Sequence, residues 1–200
     1  MSDSMVRGIA NYGTRYFANL DRVARVIEAT NGDAAALDFN TAINGFIALC
    51  RDVQSSGRKL MFIGNGGSAS IASHMATDFM KNGRVRATAF NDPMFLTCLS
   101  NDLGYERVFE FQIDGHGEAG DLLIAISSSG KSSNILNGVA AARRKKSKVV
   151  TLSGFKSANS LRDMGDLNFY VPSGEYGVVE LLHCSLVHCA LDGLMGIKPD

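Results

Sequence analysis

The chain has 200 residues and level charge, twenty Lys and Arg against twenty Asp and Glu, with 21 Gly, three Pro and no Trp. That length fits one ordinary domain, and the zero net charge excludes a global field that would draw in nucleic acid or an anionic membrane. With 46% hydrophobic and 8% aromatic residues, the composition excludes disorder and suits an aliphatic α/β core.

The N-terminal stretch lacks the pattern of a signal peptide, and the apolar runs fall short of the ~20 residues of a membrane span. Tyr16, Leu20, Val23 and Ile27, then Leu37, Ile43, Phe46, Ile47 and Cys50, recur at three- and four-residue intervals and predict two helices separated by Asn31-Gly32-Asp33. Beyond Gly57 the pattern changes. Lys59–Ile63, Ala87–Phe90, Leu122–Ile126, Val149–Leu152 and Leu167–Val171 are short aliphatic runs bounded by turn residues, and they predict five buried strands. Helices are predicted between them at about Ser68–Met80, Tyr105–Gly115, Ser132–Lys145 and Ala158–Met164, with a last one at Tyr176–Leu194. Strand alternating with helix implies a mostly parallel sheet covered on both faces, with ligands at the carboxyl ends of its strands. Arg143-Arg144-Lys145-Lys146 suits the solvated C-terminus of a helix. Cys50, Cys98, Cys184 and Cys189 form neither a CxxC pair nor a disulfide framework, so a reducing, cytoplasmic setting is expected.

Two loops carry anion-binding chemistry. Gly64-Asn65-Gly66-Gly67-Ser68 follows one predicted strand and opens a helix, where glycines allow close backbone approach and the helix N-terminus offers free N–H groups. It is neither a P-loop nor GxGxxG. Ser127-Ser128-Ser129-Gly130-Lys131-Ser132 follows another strand, and its hydroxyls suit a phosphate ester. A single Ser would suffice as a helix cap, so two such loops on one sheet point to a ligand of sugar-phosphate size.

His74 and Asp78 lie at i and i+4 on the helix after the first loop. Such a pair can share a proton, hold a metal or simply pair. Glu180, Cys184 and His188 form a stripe on the last helix, whereas His183 lies among Leu181, Leu182, Leu186 and Val187, the setting of a core histidine. Glu180 and His188 are separated by a rise of about 12 Å, so a metal shared by both requires unwinding or a second subunit.

With GNGGS, SHMATD, SNDLGY, GDLLIAISSSGKS, VVTLSG and ELLHCSLVHC in this order, the chain resembles the sugar isomerase (SIS) domain family and, within it, the sedoheptulose-7-phosphate (phosphoheptose) isomerases. The resemblance covers nearly the whole chain. It implies a flavodoxin-like three-layer α/β sandwich with a five-stranded parallel sheet over residues 58–200, and an N-terminal helical extension over 1–57 used for oligomerisation. It further implies a cytoplasmic homotetramer with active sites at subunit interfaces. The implied reaction is sedoheptulose 7-phosphate to D-glycero-D-manno-heptose 7-phosphate through an enediol, for bacterial surface polysaccharide.

By the same resemblance, Ser127, Ser128, Ser129 and Ser132 grip the phosphate, Asn65, Gly66, Gly67 and Ser68 line the other side, and Asp102 meets a sugar hydroxyl. Asp78 and His188 fall on the catalytic pair. His74, Asp78, Glu180 and His188 fall on a divalent-metal site, zinc in some members, with no nucleotide cofactor, and Glu180 also borders the substrate. Four positions depart from the family pattern: Asp78 stands for Glu, Glu180 for an amide, and Val178 and Asn82 for two arginines. These departures keep two alternatives in view, an isomerase of another phosphosugar and a non-catalytic SIS sensor or adaptor.

Overall fold

A computed structural model describes residues 11–198; the first ten residues of the expected N-terminal extension lie outside them. The chain runs α1 (Tyr12–Ala24), β1 (Glu28–Asn31), β2 (Ala36–Leu37), α2 (Phe39–Ser55), β3 (Lys59–Gly64), α3 (Gly67–Lys81), β4 (Arg86–Ala89) and α4 (Pro93–Leu103). A 3-10 turn at Tyr105–Arg107 leads into α5 (Val108–His116). The rest comprises β5 (Leu122–Ser127), α6 (Ser133–Arg144), β6 (Lys148–Ser153), a 3-10 turn at Ser160–Asp163, β7 (Leu167–Tyr170) and α7 (Tyr176–Met195).

All five predicted strands form, and the sheet has seven, in the order β2-β1-β7-β6-β5-β3-β4. β7, β6, β5, β3 and β4 are parallel, and numbered among themselves they run 2-1-3-4-5, the flavodoxin order. The other two strands correct the expected helix–helix N-terminus. Between α1 and α2 lies a hairpin whose β1 pairs antiparallel with β7. Asn31 turns it, its Oδ1 accepting from the Asp33 and Ala35 N–H groups at 3.0 and 2.9 Å. The expected helix at Ala158–Met164 is only the 3-10 turn, capped by Asn159, and α4 was not expected at all.

Alternation along the strands divides the core. Leu60, Phe62, Ile124, Ile126, Val150 and Leu152 face α2, α3 and α7, while Met61, Ile63, Leu123, Ala125 and Val149 face α5 and α6, as a two-residue period requires. The N-terminal part shares that first core, since Ala42, Ile43, Phe46, Cys50 and Val53 of α2 are buried within it. By length and composition α7 is apolar enough to cross a membrane, yet Val178, Val179, Leu182, Leu186, Val187, Ala190 and Leu191 are buried in that core. The basic run ends α6, where the Arg143 guanidinium donates to the Met164 carbonyl at 2.7 and 2.9 Å.

Candidate active site

β3 and β5 are neighbours, with Gly64 opposite Ile126. The chain leaves β3 for α3 on one face of the sheet and leaves β5 for α6 on the other. That divergence is a topological switch point, where the carboxyl ends of the strands open a crevice. Here the crevice is a cavity of about 240 Å³ lined by Asn65, Gly66, Gly67, Ser68, Ile126, Ser127, Ser128, Ser129, Ser132, Tyr176 and Glu180. The two glycine- and serine-rich loops thus form its two walls. Asp102 lies outside this lining, on α4, accepting from the Asn101 side chain at 2.8 Å and from the Cys98 thiol at 3.6 Å.

The walls are built for an anion. Ser128 Oγ is buried with no hydrogen-bond partner in the protein, which leaves its hydroxyl available to a ligand in the crevice. Gly66 and Gly130 hold φ of 55° and 61°, a region glycine enters without strain. A Cβ on Gly130 would collide with the Asn159 side chain, and one on Gly67 with the Glu180 carboxylate. Glu180 therefore rests against the start of α3, inside the serine cavity.

A second centre lies along the seam of α3 and α7. His74 Nε2 is 3.3 Å from His188 Nε2 and 3.4 Å from Asp78 Oδ2, and one donor atom from each of the three residues falls within 4.8 Å of the others. Gly67 meets Glu180 and His74 meets His188, so the two helices run side by side in the same direction. The triad stands about two turns, roughly 11 Å, beyond the cavity contact. Glu180 is not part of this cluster, a separation its rise from His188 anticipates. At metal–ligand distances of about 2.0–2.1 Å, the edge of a tetrahedron is about 3.3–3.4 Å. The two separations from His74 match that edge, and two imidazoles with one carboxylate fit a divalent ion bound with an open position.

His183 faces the core. It is fully buried, with Nε2 donating to the Ser153 carbonyl at 3.0 Å and Nδ1 unpartnered. Burial holds its pKa down to about 4, so it stays neutral where an unfolded chain begins to bind a proton near pH 6.5. Stability should fall as pH drops through that window, by about 2 kcal/mol at pH 5 relative to pH 7.5. Urea midpoints at the two pH values measure this, and a His183→Leu protein whose midpoint falls just as far would reject the assignment. Cys184, a turn before His188, has its thiol pKa raised by burial and then by Asp78.

Asn134 and Tyr105 are parts of the site that sequence reasoning missed. Asn134 joins its side-chain amide reciprocally to that of Asn65, at 3.0 and 2.9 Å, and Tyr105 donates its hydroxyl to Asn65 Oδ1 at 2.9 Å.

Comparison with known proteins converges on one group. The SIS domain family model matches residues 15–154. A phosphoheptose isomerase of Akkermansia muciniphila is 34% identical over 70% of this chain and 77% of its own length. One from Citrifermentans bemidjiense is 30% identical over 88% and 91%. Among solved structures, the phosphoheptose isomerase GmhA of Neisseria gonorrhoeae superposes with a TM-score of 0.80 at 26% identity, over 93% of this chain and 99% of that one. An identity of 30% or more across most of a relative's length, together with a family match across most of the chain, settles membership: the protein belongs to the SIS domain family, among the phosphoheptose isomerases.

Proposed function

We propose that the protein is an aldose–ketose isomerase converting sedoheptulose 7-phosphate to D-glycero-D-manno-heptose 7-phosphate, an early step toward bacterial surface polysaccharide. The observation that carries this reading is the serine-walled cavity at the switch point, with the Ser128 hydroxyl buried and unpartnered. Ser127, Ser128, Ser129 and Ser132 hold the phosphate, with the backbone of Asn65-Gly66-Gly67-Ser68 on the opposite wall. Anchoring at a remote phosphate orients the reacting carbons. Asp102, on α4, meets a sugar hydroxyl.

Asp78 removes the proton on the carbon next to the carbonyl. The freed electron pair forms the carbon–carbon double bond of an enediol as the carbonyl oxygen takes a proton from His188. Asp78 then returns its proton to the former carbonyl carbon while the hydroxyl on the carbon first deprotonated gives its proton to His188, so the new carbonyl forms and both residues regain their starting states. His74, Asp78 and His188 would hold a divalent ion, zinc by the donor set. When bound, that ion supplies Lewis-acid polarisation of the substrate oxygens.

The working form is a homotetramer in the cytoplasm, assembled partly through residues 1–57, with the triad of one subunit completing the serine cavity of another. Several features support this. Phe17, Val26, Phe39 and Leu181 are exposed on α1, the segment before β1, α2 and α7, and Phe39 lines an apolar cavity of about 400 Å³ with Ile27, Leu182 and Leu186; exposed apolar surface of this kind marks an interaction site. All four cysteines are free.

Incubation of the purified protein with a panel of ketose and aldose phosphates, with and without chelator, tests the proposal. Interconversion of the two heptose 7-phosphates is expected, and it should fall with chelator. Conversion of a different phosphosugar alone would reassign the substrate, and conversion of none would favour a sugar-phosphate sensor or adaptor.

A further inference from the structure

We infer that Asn134 and Tyr105 are positioning residues that set the distance between the two walls of the cavity, an inference that rests on the sugar-phosphate reading above. Asn65 is the first residue after β3, and Asn134 is the second residue of α6. Their amides bond to each other in both directions, Asn65 Nδ2 to Asn134 Oδ1 at 3.0 Å and Asn134 Nδ2 to Asn65 Oδ1 at 2.9 Å. Tyr105 adds its hydroxyl to the same Asn65 oxygen, and the Ile135 N–H donates to Asn134 Oδ1 at 3.0 Å. An amide oxygen has two lone pairs, so both carbonyl groups are filled.

This saturation decides what Asn65 does. Its side-chain oxygen has no lone pair left for a ligand, whereas Nδ2 donates only one of its two N–H groups, so toward an anion Asn65 can offer that N–H and its backbone, beside Gly66, Gly67 and Ser68. The amide pair is the only side-chain bridge between the two walls among the described residues. Asn134 is 2% exposed and Asn65 half-buried, so the pair is partly shielded from competing water, which strengthens it. Tyr105 ties in a third connection. It begins the turn after α4, the helix carrying Asp102, and Asn137 of α6 donates to the Glu106 carbonyl of that turn at 2.9 Å. Three segments at the carboxyl edge of the sheet are thereby tied together by hydrogen bonds. A displacement of about 1 Å between positioned groups can cost on the order of 100-fold.

The experiment uses the full chain and titration calorimetry with sedoheptulose 7-phosphate and with inorganic phosphate. Tyr105→Phe removes one hydroxyl from a residue that is half exposed, so its folding is secure, and binding of both ligands should weaken about 5- to 10-fold. Asn134→Leu removes both bonds to Asn65 and should weaken binding about 30- to 100-fold. Asn134→Ser loses the reciprocal amide pair without adding charge beside the phosphate, keeps a polar group in the site, and should fall between wild type and Leu. A purely structural role would lower the melting temperature and leave affinity per folded molecule unchanged. Affinities within twofold of wild type in Tyr105→Phe and Asn134→Ser overturn the inference. A wild-type protein that binds neither ligand overturns the sugar-phosphate reading itself, and the inference falls with it.

Discussion

Asp78→Asn and His188→Ala each lower turnover of sedoheptulose 7-phosphate by about 10²- to 10⁴-fold, the usual contribution of a positioned acid or base, while the affinity for the sugar phosphate stays close to wild type. The expectation follows from the separation of the two centres. Phosphate contacts come from loops after β3 and β5, whereas Asp78 and His188 sit about two helical turns further along α3 and α7. Removing chemistry at one centre leaves the anchor at the other intact, so the loss should appear in kcat rather than in Kd. His188→Ala also takes one imidazole from the three-donor cluster, and bound divalent metal, measured on the purified protein, should fall with it. Asp78→Asn keeps the size of the side chain and an oxygen but removes the base. Turnover within about threefold of wild type in both variants would take the acid–base roles away from this pair.

The parts of the molecule that were legible in the sequence are those set by local pattern. β3 and β5 announce themselves as aliphatic runs ending in glycine or serine, and the cavity walls follow because a parallel sheet places such ends together. His74 and Asp78 share a helix face by spacing alone. The β1–β2 hairpin was hidden because Ile27 and Leu37 continue a helical rhythm while its strands are too short to show alternation. What fixes it is remote: Asn168 of β7, 2% exposed, donates to Thr30 Oγ1 at 3.4 Å and to the Asn31 carbonyl at 3.3 Å. The start of α4, by contrast, is marked locally. Asp92 caps it, accepting from the N–H groups of Met94 and Phe95 at 2.9 and 3.1 Å, and Pro93 occupies its first turn, the standard start of a helix. Asn134 and Tyr105 carry no such mark, because partners 69 and 40 residues away in sequence leave nothing in local composition.

Asp121→Ala should cost about 3–5 kcal/mol, the loss typical of removing one partner from a buried ion pair. Asp121 is fully buried at the start of β5, at the end of the sheet opposite the cavity. Its carboxylate lies 2.6 Å from Lys59 Nζ and accepts the Lys59 N–H at 3.0 Å and the Glu118 N–H at 2.8 Å. The alanine protein leaves two N–H groups and a largely buried ammonium without an acceptor, and each is expensive in a low-dielectric interior. Against a total stability of roughly 5–15 kcal/mol, that loss is severe, and the melting temperature should drop by roughly 6–20 °C. Replacing both partners, Lys59→Met with Asp121→Leu, should be milder than Asp121→Ala alone, because no charge is then stranded. Urea unfolding of the three proteins gives the comparison, and sugar-phosphate affinity measured well below the transition should match wild type, since the pair lies at the far end of β3 and β5 from the serines. A loss under about 1 kcal/mol in Asp121→Ala would show that water reaches this pair and that it behaves as a surface salt bridge.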